Sequence, residues 1–179
     1  MKRTVLVFGL ISGLLIAAWC VGSIALCYKL NNFKGNMTLG FAAMILALSV
    51  IYVAVKRYRD KDNGGIISFG KAFRIGLYIS LIASTMYVIA WAIDYYVFIP
   101  DFMDKYSAQT LREAHSNGAS KAQIDSQIVQ IASMKKMYQN PLTLILLTYL
   151  EIFPVGLIVS LLTAFVLKRK ENNNKTVIV

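Results

Sequence analysis

The chain has 179 residues, of which 57% are hydrophobic and 16% charged, with a formal net charge of +10. An ordinary soluble domain carries about 25% charged residues, so too little polar surface is present here to enclose an apolar core, and the charges cluster between long apolar runs. A soluble globular domain is excluded, and at about 100–200 residues per domain one all-α membrane domain over residues 1–179 is expected. The basic excess is not a nucleic-acid footprint, because it flanks apolar runs instead of forming a helical face or tail.

A helix needs about 20 mainly apolar residues to cross the hydrocarbon core. Four stretches qualify, at about 5–28, 37–55, 73–97 and 142–167. The first follows Lys2 and Arg3 as a signal peptide does. Its apolar run is too long for a signal segment and no small-x-small site follows it, so an uncleaved helix is expected. Cys20 and Cys27 are seven apart in that run, about 10.5 Å on a helix, too far for a disulfide. The third span is preceded by Gly64-Gly65, a chain break, and by Ser68, a helix cap. Gly65, Gly70 and Lys71 imitate a phosphate loop, but Ala72 stands where a Mg²⁺-binding hydroxyl is required, so no nucleotide is expected.

Lysine and arginine counts set the threading. Lys2, Arg3, Lys56, Arg57, Arg59, Lys61, Lys71, Arg74, Lys168, Arg169, Lys170 and Lys175 fall on one side, twelve of the nineteen basic residues. Lys29, Lys34, Lys105, Arg112, Lys121, Lys135 and Lys136 fall on the other. Both termini are expected to be cytoplasmic, with Tyr28, Trp91, Tyr95 and Tyr96 in an outer interfacial belt. Lys56, Arg57, Arg59, Lys71 and Arg74 form a cationic collar, a candidate contact for anionic lipid at about 1 kcal/mol per residue.

Residues 100–141 form the one long polar loop. Asn117-Gly118 reads as a helix stop and Ser120 as the cap of a second helix, whose Ile124, Ile128, Ile131 and Tyr138 make an apolar stripe. Met103, Tyr106 and Leu111 form a weaker stripe before the break. An extracytoplasmic helical hairpin between the third and fourth spans is expected. Asn36-Met37-Thr38 matches a glycosylation sequon that abuts the bilayer.

Small residues let membrane helices approach closely. Gly9, Gly13 and Ala17 line the first span, Gly76, Ser80 and Ser84 the third, and Gly156, Ser160 and Ala164 the fourth, in the similar strings GLISGLLIA, GLYISLIAS and GLIVSLLTA. These stripes predict a compact bundle, with or without a partner.

Glu151 lies nine positions into the fourth span, about 13.5 Å from its outer end. An intramembrane carboxylate costs on the order of 3 kcal/mol or more and is a functional candidate. Pro154, three residues later, frees the Leu150 carbonyl; a Glu151 that satisfies that opening, as a polar lock, competes with a role in transport. On an ideal helix Glu151 lies about 180° from Ser160, so the span has either a large kink or two working faces. Asp94 shares a face with Tyr87 and Trp91 and is expected as a capping or interfacial carboxylate. His115 has no partner at ligand spacing, and neither a metal site nor a cofactor is indicated.

Two stretches carry a family resemblance: GGIISFGKAFRIGLYISLIAS, leading to Pro100-Asp101-Phe102, and Tyr138-Gln139-Asn140-Pro141 followed by TYLEIFPVGLIVSLLTAFVLKRK. Together they resemble the bacterial membrane family catalogued as domain of unknown function 4199. The resemblance implies a small four-span protein of the bacterial inner membrane and brings no activity, cofactor or catalytic residue with it. The leading expectation is a non-catalytic subunit or adaptor, meeting membrane lipids and a protein partner or its own copies. The alternative is a small transporter, channel or lipid-translocation component using Glu151. An intramembrane enzyme acting on lipid would need several polar groups converging at one depth.

Overall fold

The computed structural model describes residues 1–33 and 36–169; Lys34, Lys170 and Lys175 of the threading count lie outside the described residues. The described residues are helical apart from turns and one isolated bridge: α1 (Lys2–Leu30), α2 (Met37–Leu48), α3 (Val50–Arg57), α4 (Phe69–Ile93), α5 (Phe102–Ser116), α6 (Lys121–Gln139) and α7 (Pro141–Leu167). Two π-helical turns, Tyr58–Asp62 and Asp94–Phe98, extend α3 and α4. Four helices are long and apolar enough to cross a membrane: Lys2–Leu30, Met37–Asp62, Phe69–Phe98 and Pro141–Leu167. All four expected spans are therefore present. The second and third run past their expected limits, because a helix continues through Lys56 and Arg57, or starts at Phe69, wherever its charged groups reach polar surroundings.

The helix ends follow from local chemistry. Ser68 accepts from the Lys71 N–H, Asn36 from Leu39 and Asn140 from Leu142, with Pro141 at the first helical position. Ser120 and Gln123 form a reciprocal capping box at the start of α6. That arrangement satisfies two otherwise unpaired backbone donors. Gly118 sits at φ 73°, where a residue without Cβ meets no steric penalty and the chain can turn from α5 into α6.

α4 is the central helix, packed most extensively against α1 and α7. With α7 it forms a reciprocal interlock. A methyl group built on Gly76 would lie 2.8 Å from Ser160 Cβ, and one on Gly156 would lie 2.7 Å from Ser80 Cβ. The two serine hydroxyls are 3.1 Å apart, and each also donates to the carbonyl of the glycine four residues before it. Gly9 and Gly13 of α1 admit Ile82 and Met86 of α4 in the same way. The stripes that predicted close packing are thus occupied within this chain. The likeness of the strings on α4 and α7 has a physical reason: antiparallel helices at contact distance each need a small residue opposite the other's serine.

α3 completes this half. Ile51, Ala54 and Val55 are buried with Ala72, Ile75, Ile79, Ile152 and Ala164 in the main apolar core, and Ser12 of α1 donates to the Ala47 carbonyl at 2.7 Å. Residues 63–68 close this end, where Ile67 pairs with Arg169 through backbone bonds of 3.2 and 2.9 Å.

At the opposite end a second, smaller core contains Tyr95, Met103 and Leu144, with Trp91, Phe102 and Tyr138 against them. Edge-to-face contacts run from Tyr28 to Phe33, Phe102 and Trp91. Tyr28 donates to Asp101 at 2.6 Å, Lys105 pairs with Asp101 at 2.8 Å, and Tyr96 donates to the Tyr138 carbonyl at 2.9 Å. These contacts hold the α5–α6 helix pair on the bundle. The relative weight of its two stripes is the reverse of expectation. α5 buries Met103 and Ala114, whereas α6 buries no residue and leaves Ile128 46% exposed. The reason is position: α5 leaves the α4 extension directly across the bundle end, while α6 returns along its outer side.

Candidate functional site

α2 and α3 meet at Ser49, whose side chain donates to the Leu46 carbonyl. Beyond that point the second span leaves the interlocked core. A cavity opens between α1, α2, α4, α7 and the α5–α6 pair. Its upper part, about 690 Å³, is lined by Trp19, Gly22, Cys27, Phe33, Leu39 and Met103 among others. Its lower part, about 230 Å³, reaches Cys20, Met44, Tyr87, Trp91 and Glu151. Trp19, Ser23, Ile24, Gly40 and Tyr138 line both parts, so the two spaces adjoin and share a wall. Leu26 and Leu39, on the upper wall, are 54% and 53% exposed, so the cavity is open toward the side. Its size lies in the range of small-molecule sites, about 300–1,000 Å³.

Glu151 is exposed into this cavity and accepts no hydrogen bond from any described residue. It does not serve as the polar lock considered from the sequence, since neither another helix nor the backbone freed by Pro154 engages it. The question of faces has a clear outcome. Ser160 packs on α4 while Glu151 looks into the cavity, so α7 has two working faces. Ile152, between them in sequence, is fully buried.

Asp94 occupies the C-cap position of α4 with its side chain buried. It is 6% exposed and its Oδ2 has no hydrogen-bond partner. Its backbone carbonyl accepts from Ile99 at 2.9 Å, closing the π-helical turn. Its side chain follows the regular α-helix up to Ile93, on the face of Tyr87 and Trp91, which border the cavity. Cys20, on the cavity wall, lies within electrostatic reach of both Asp94 and Glu151. Tyr87 and Tyr138 are within reach of Glu151 as well. Burial pushes the Tyr138 phenol above its ordinary value, and the Glu151 carboxylate adds to that shift. Sequence reading missed Tyr138, Trp19 and Gly40 as parts of one site, for they lie on three different helices.

The cationic collar is partly engaged. Arg59 pairs with Asp60 and reaches the Leu167 carbonyl. Lys71 donates to Asn63 at 2.8 Å and lies over Tyr58, and Arg57 lies over Phe8. Lys56 and Arg74 make no side-chain hydrogen bond or ion pair among the described residues and remain exposed. Gly65, at φ 81°, belongs to the turn before α4. Asn36 of the sequon caps α2 and lines the upper cavity. Both cysteines are free thiols. Among the described residues no group of three His, Cys, Asp or Glu is placed to hold a metal ion.

Four apolar spans around a laterally open cavity define the class: a small multi-pass membrane protein with an internal site. Over residues 7–169 the chain matches the family described as "Protein of unknown function (DUF4199)", and it belongs to that family. No curated protein and no solved structure matches it.

Proposed function

We propose that the protein takes a hydrophobic small molecule or lipid from the membrane into this cavity, as a non-catalytic component of transport or lipid translocation. The single observation that carries this reading is the pair of adjoining cavities between the spans, with Glu151, unpaired among the described residues, in the lower one. We place it in the bacterial inner membrane, as the family resemblance implies, with termini and collar cytoplasmic and the α5–α6 pair outside on the distribution of Lys and Arg. The test compares wild type with Gly40→Leu. A Cβ at Gly40 meets nothing within 4 Å, so a larger side chain enters the cavity without displacing the bundle. Native mass spectrometry in mild detergent should find a retained lipid or small molecule on the wild type and much less on the variant. Equal retention would end this reading. Unchanged flux by Glu151→Gln in proteoliposomes would remove the carboxylate from it.

A second reading, a subunit or adaptor for another membrane protein or a second copy, has its own support. Leu15, Trp19, Leu39, Ala42, Ala43, Leu46 and Ala47 border a shallow groove of about 500 Å³ on the α1–α2 surface, with small residues of the kind that admit a neighbouring helix. Co-purification in mild detergent tests it, and a solitary monomer would count against it.

A further inference from the structure

The cavity's chemistry is unequal from top to bottom, and the inequality points to one class of ligand. The upper part is walled by apolar and aromatic side chains. The lower part brings four aromatic residues, Trp19, Tyr87, Trp91 and Tyr138, around the same space as Glu151. Among the described residues no Lys or Arg lines either part. A second carboxylate, Asp94, is more than nine-tenths buried with an unpartnered Oδ2, and lies behind the wall within electrostatic reach of Cys20. The region is therefore rich in acceptors and aromatic faces, and poor in cations.

We propose that the lower cavity binds the head of a lipophilic ammonium ion, with Glu151 as counter-ion and Trp19, Tyr87, Trp91 and Tyr138 as an aromatic cage, while the apolar body of the ligand fills the upper cavity. This rests on the cavity-binding reading above and narrows it to a chemical class. A carboxylate in a weakly polar site is costly unless it is neutralised or paired, and a cation against aromatic faces gains further attraction once desolvated. Phosphate and carboxylate head groups placed in the lower part find no positive partner among its described residues and meet like charge at Glu151. Anionic and phosphate-bearing lipids are thereby disfavoured, and a primary amine or quaternary ammonium on a long apolar body is favoured.

The chain itself supplies the reporter. Trp19 and Trp91 are its only two tryptophans, and both line the lower cavity. The protein in dodecyl maltoside micelles, a nonionic host without an ammonium group, is titrated with dodecyltrimethylammonium and, separately, with dodecanol, reading tryptophan fluorescence and, in parallel, calorimetric heat. The expected result is saturable binding of the ammonium at least about tenfold tighter than that of the alcohol. Glu151→Gln should remove that preference while leaving dodecanol binding unchanged, and Gly40→Leu should weaken both. If ammonium and alcohol bind alike to wild type, the ammonium assignment is overturned and the cavity reading survives. If neither probe saturates by either readout, both fail. Retention of the preference by Glu151→Gln would overturn the role of the carboxylate alone. The wild-type comparison decides the ammonium question even where a variant does not fold.

Discussion

The two ends of the bundle use the same four spans in opposite ways. Toward residues 63–68, glycine and serine bring α4 and α7 together until the serine hydroxyls are 3.1 Å apart, and the buried side chains there make one continuous core. Toward the α5–α6 pair, the second span diverges, a smaller aromatic core caps the bundle, and the space between becomes the cavity. The difference lies in where small residues are matched. Gly76 and Gly156 each face a serine on the partner helix, whereas Gly22 and Gly40 face nothing within 4 Å. Glycine is thus a contact residue at one end and a lining residue at the other. In lipid, where apolar burial alone favours no particular helix pair, such matching decides which helices touch.

Glycine substitutions provide the sharpest way to break this contrast. Gly156→Leu forces a Cβ against Ser80 Cβ, and overpacking of this kind costs about 1–3 kcal/mol. A clear fall in the thermal midpoint in detergent is expected. Gly40→Leu should leave that midpoint unchanged or raise it, because the substitution meets open space and improves helix propensity by up to about 1 kcal/mol. Comparable losses for both would abolish the distinction between the two ends. Ser160→Ala removes the hydroxyl pair, and interhelical hydrogen bonds in membranes average about 0.6 kcal/mol, so chemical denaturation should register a smaller loss.

The capping end is expected to respond to acid. Lys105 and the Tyr28 hydroxyl hold the Asp101 carboxyl below its ordinary value. A depressed carboxylate contributes stability that is complete above its unfolded value, about 3.9, and is lost as pH falls through the lower folded value. The α5–α6 pair should therefore stay docked at neutral pH and loosen below about pH 4. Hydrogen exchange in α5 tests this, with Asp101→Asn expected to abolish the acid dependence. The smallest effect is expected at Glu151. Glu151→Gln removes no described hydrogen bond and replaces an unpaired carboxylate that is costly within a span, so the thermal midpoint should show no loss, staying at or rising above that of wild type. A clear fall there would show the carboxylate to be a structural contact.

Several features were legible in the residues because they are local. Ser120 before α6, Gly118 after Asn117, and Ser68 before α4 each act over three or four residues, and each appears in the expected place. The similar strings on α1, α4 and α7 correctly marked close packing, but not that Gly76 meets Ser160 while Gly156 meets Ser80. The position of Asp94 at the end of the third span was legible, but its burial was not, because burial depends on what packs over that end. The stronger stripe on α6 misled, since periodicity reports a face without saying what covers it.

The residues alone determined that four apolar helices form, where they are capped, and that one carboxylate lies deep in a span. Those properties depend on length, hydropathy and hydrogen bonds between near neighbours. Only the tertiary structure decided that Glu151 opens into a cavity shared by all four spans, that Trp19, Gly40, Tyr87 and Tyr138 border it, and that Asp94 lies buried near its wall. A span surrounded by lipid is apolar on every side, so its sequence carries little signal of which face turns inward. Rotation and pairing are set by the fit of one helix surface to another, and that fit exists only once the chain has folded.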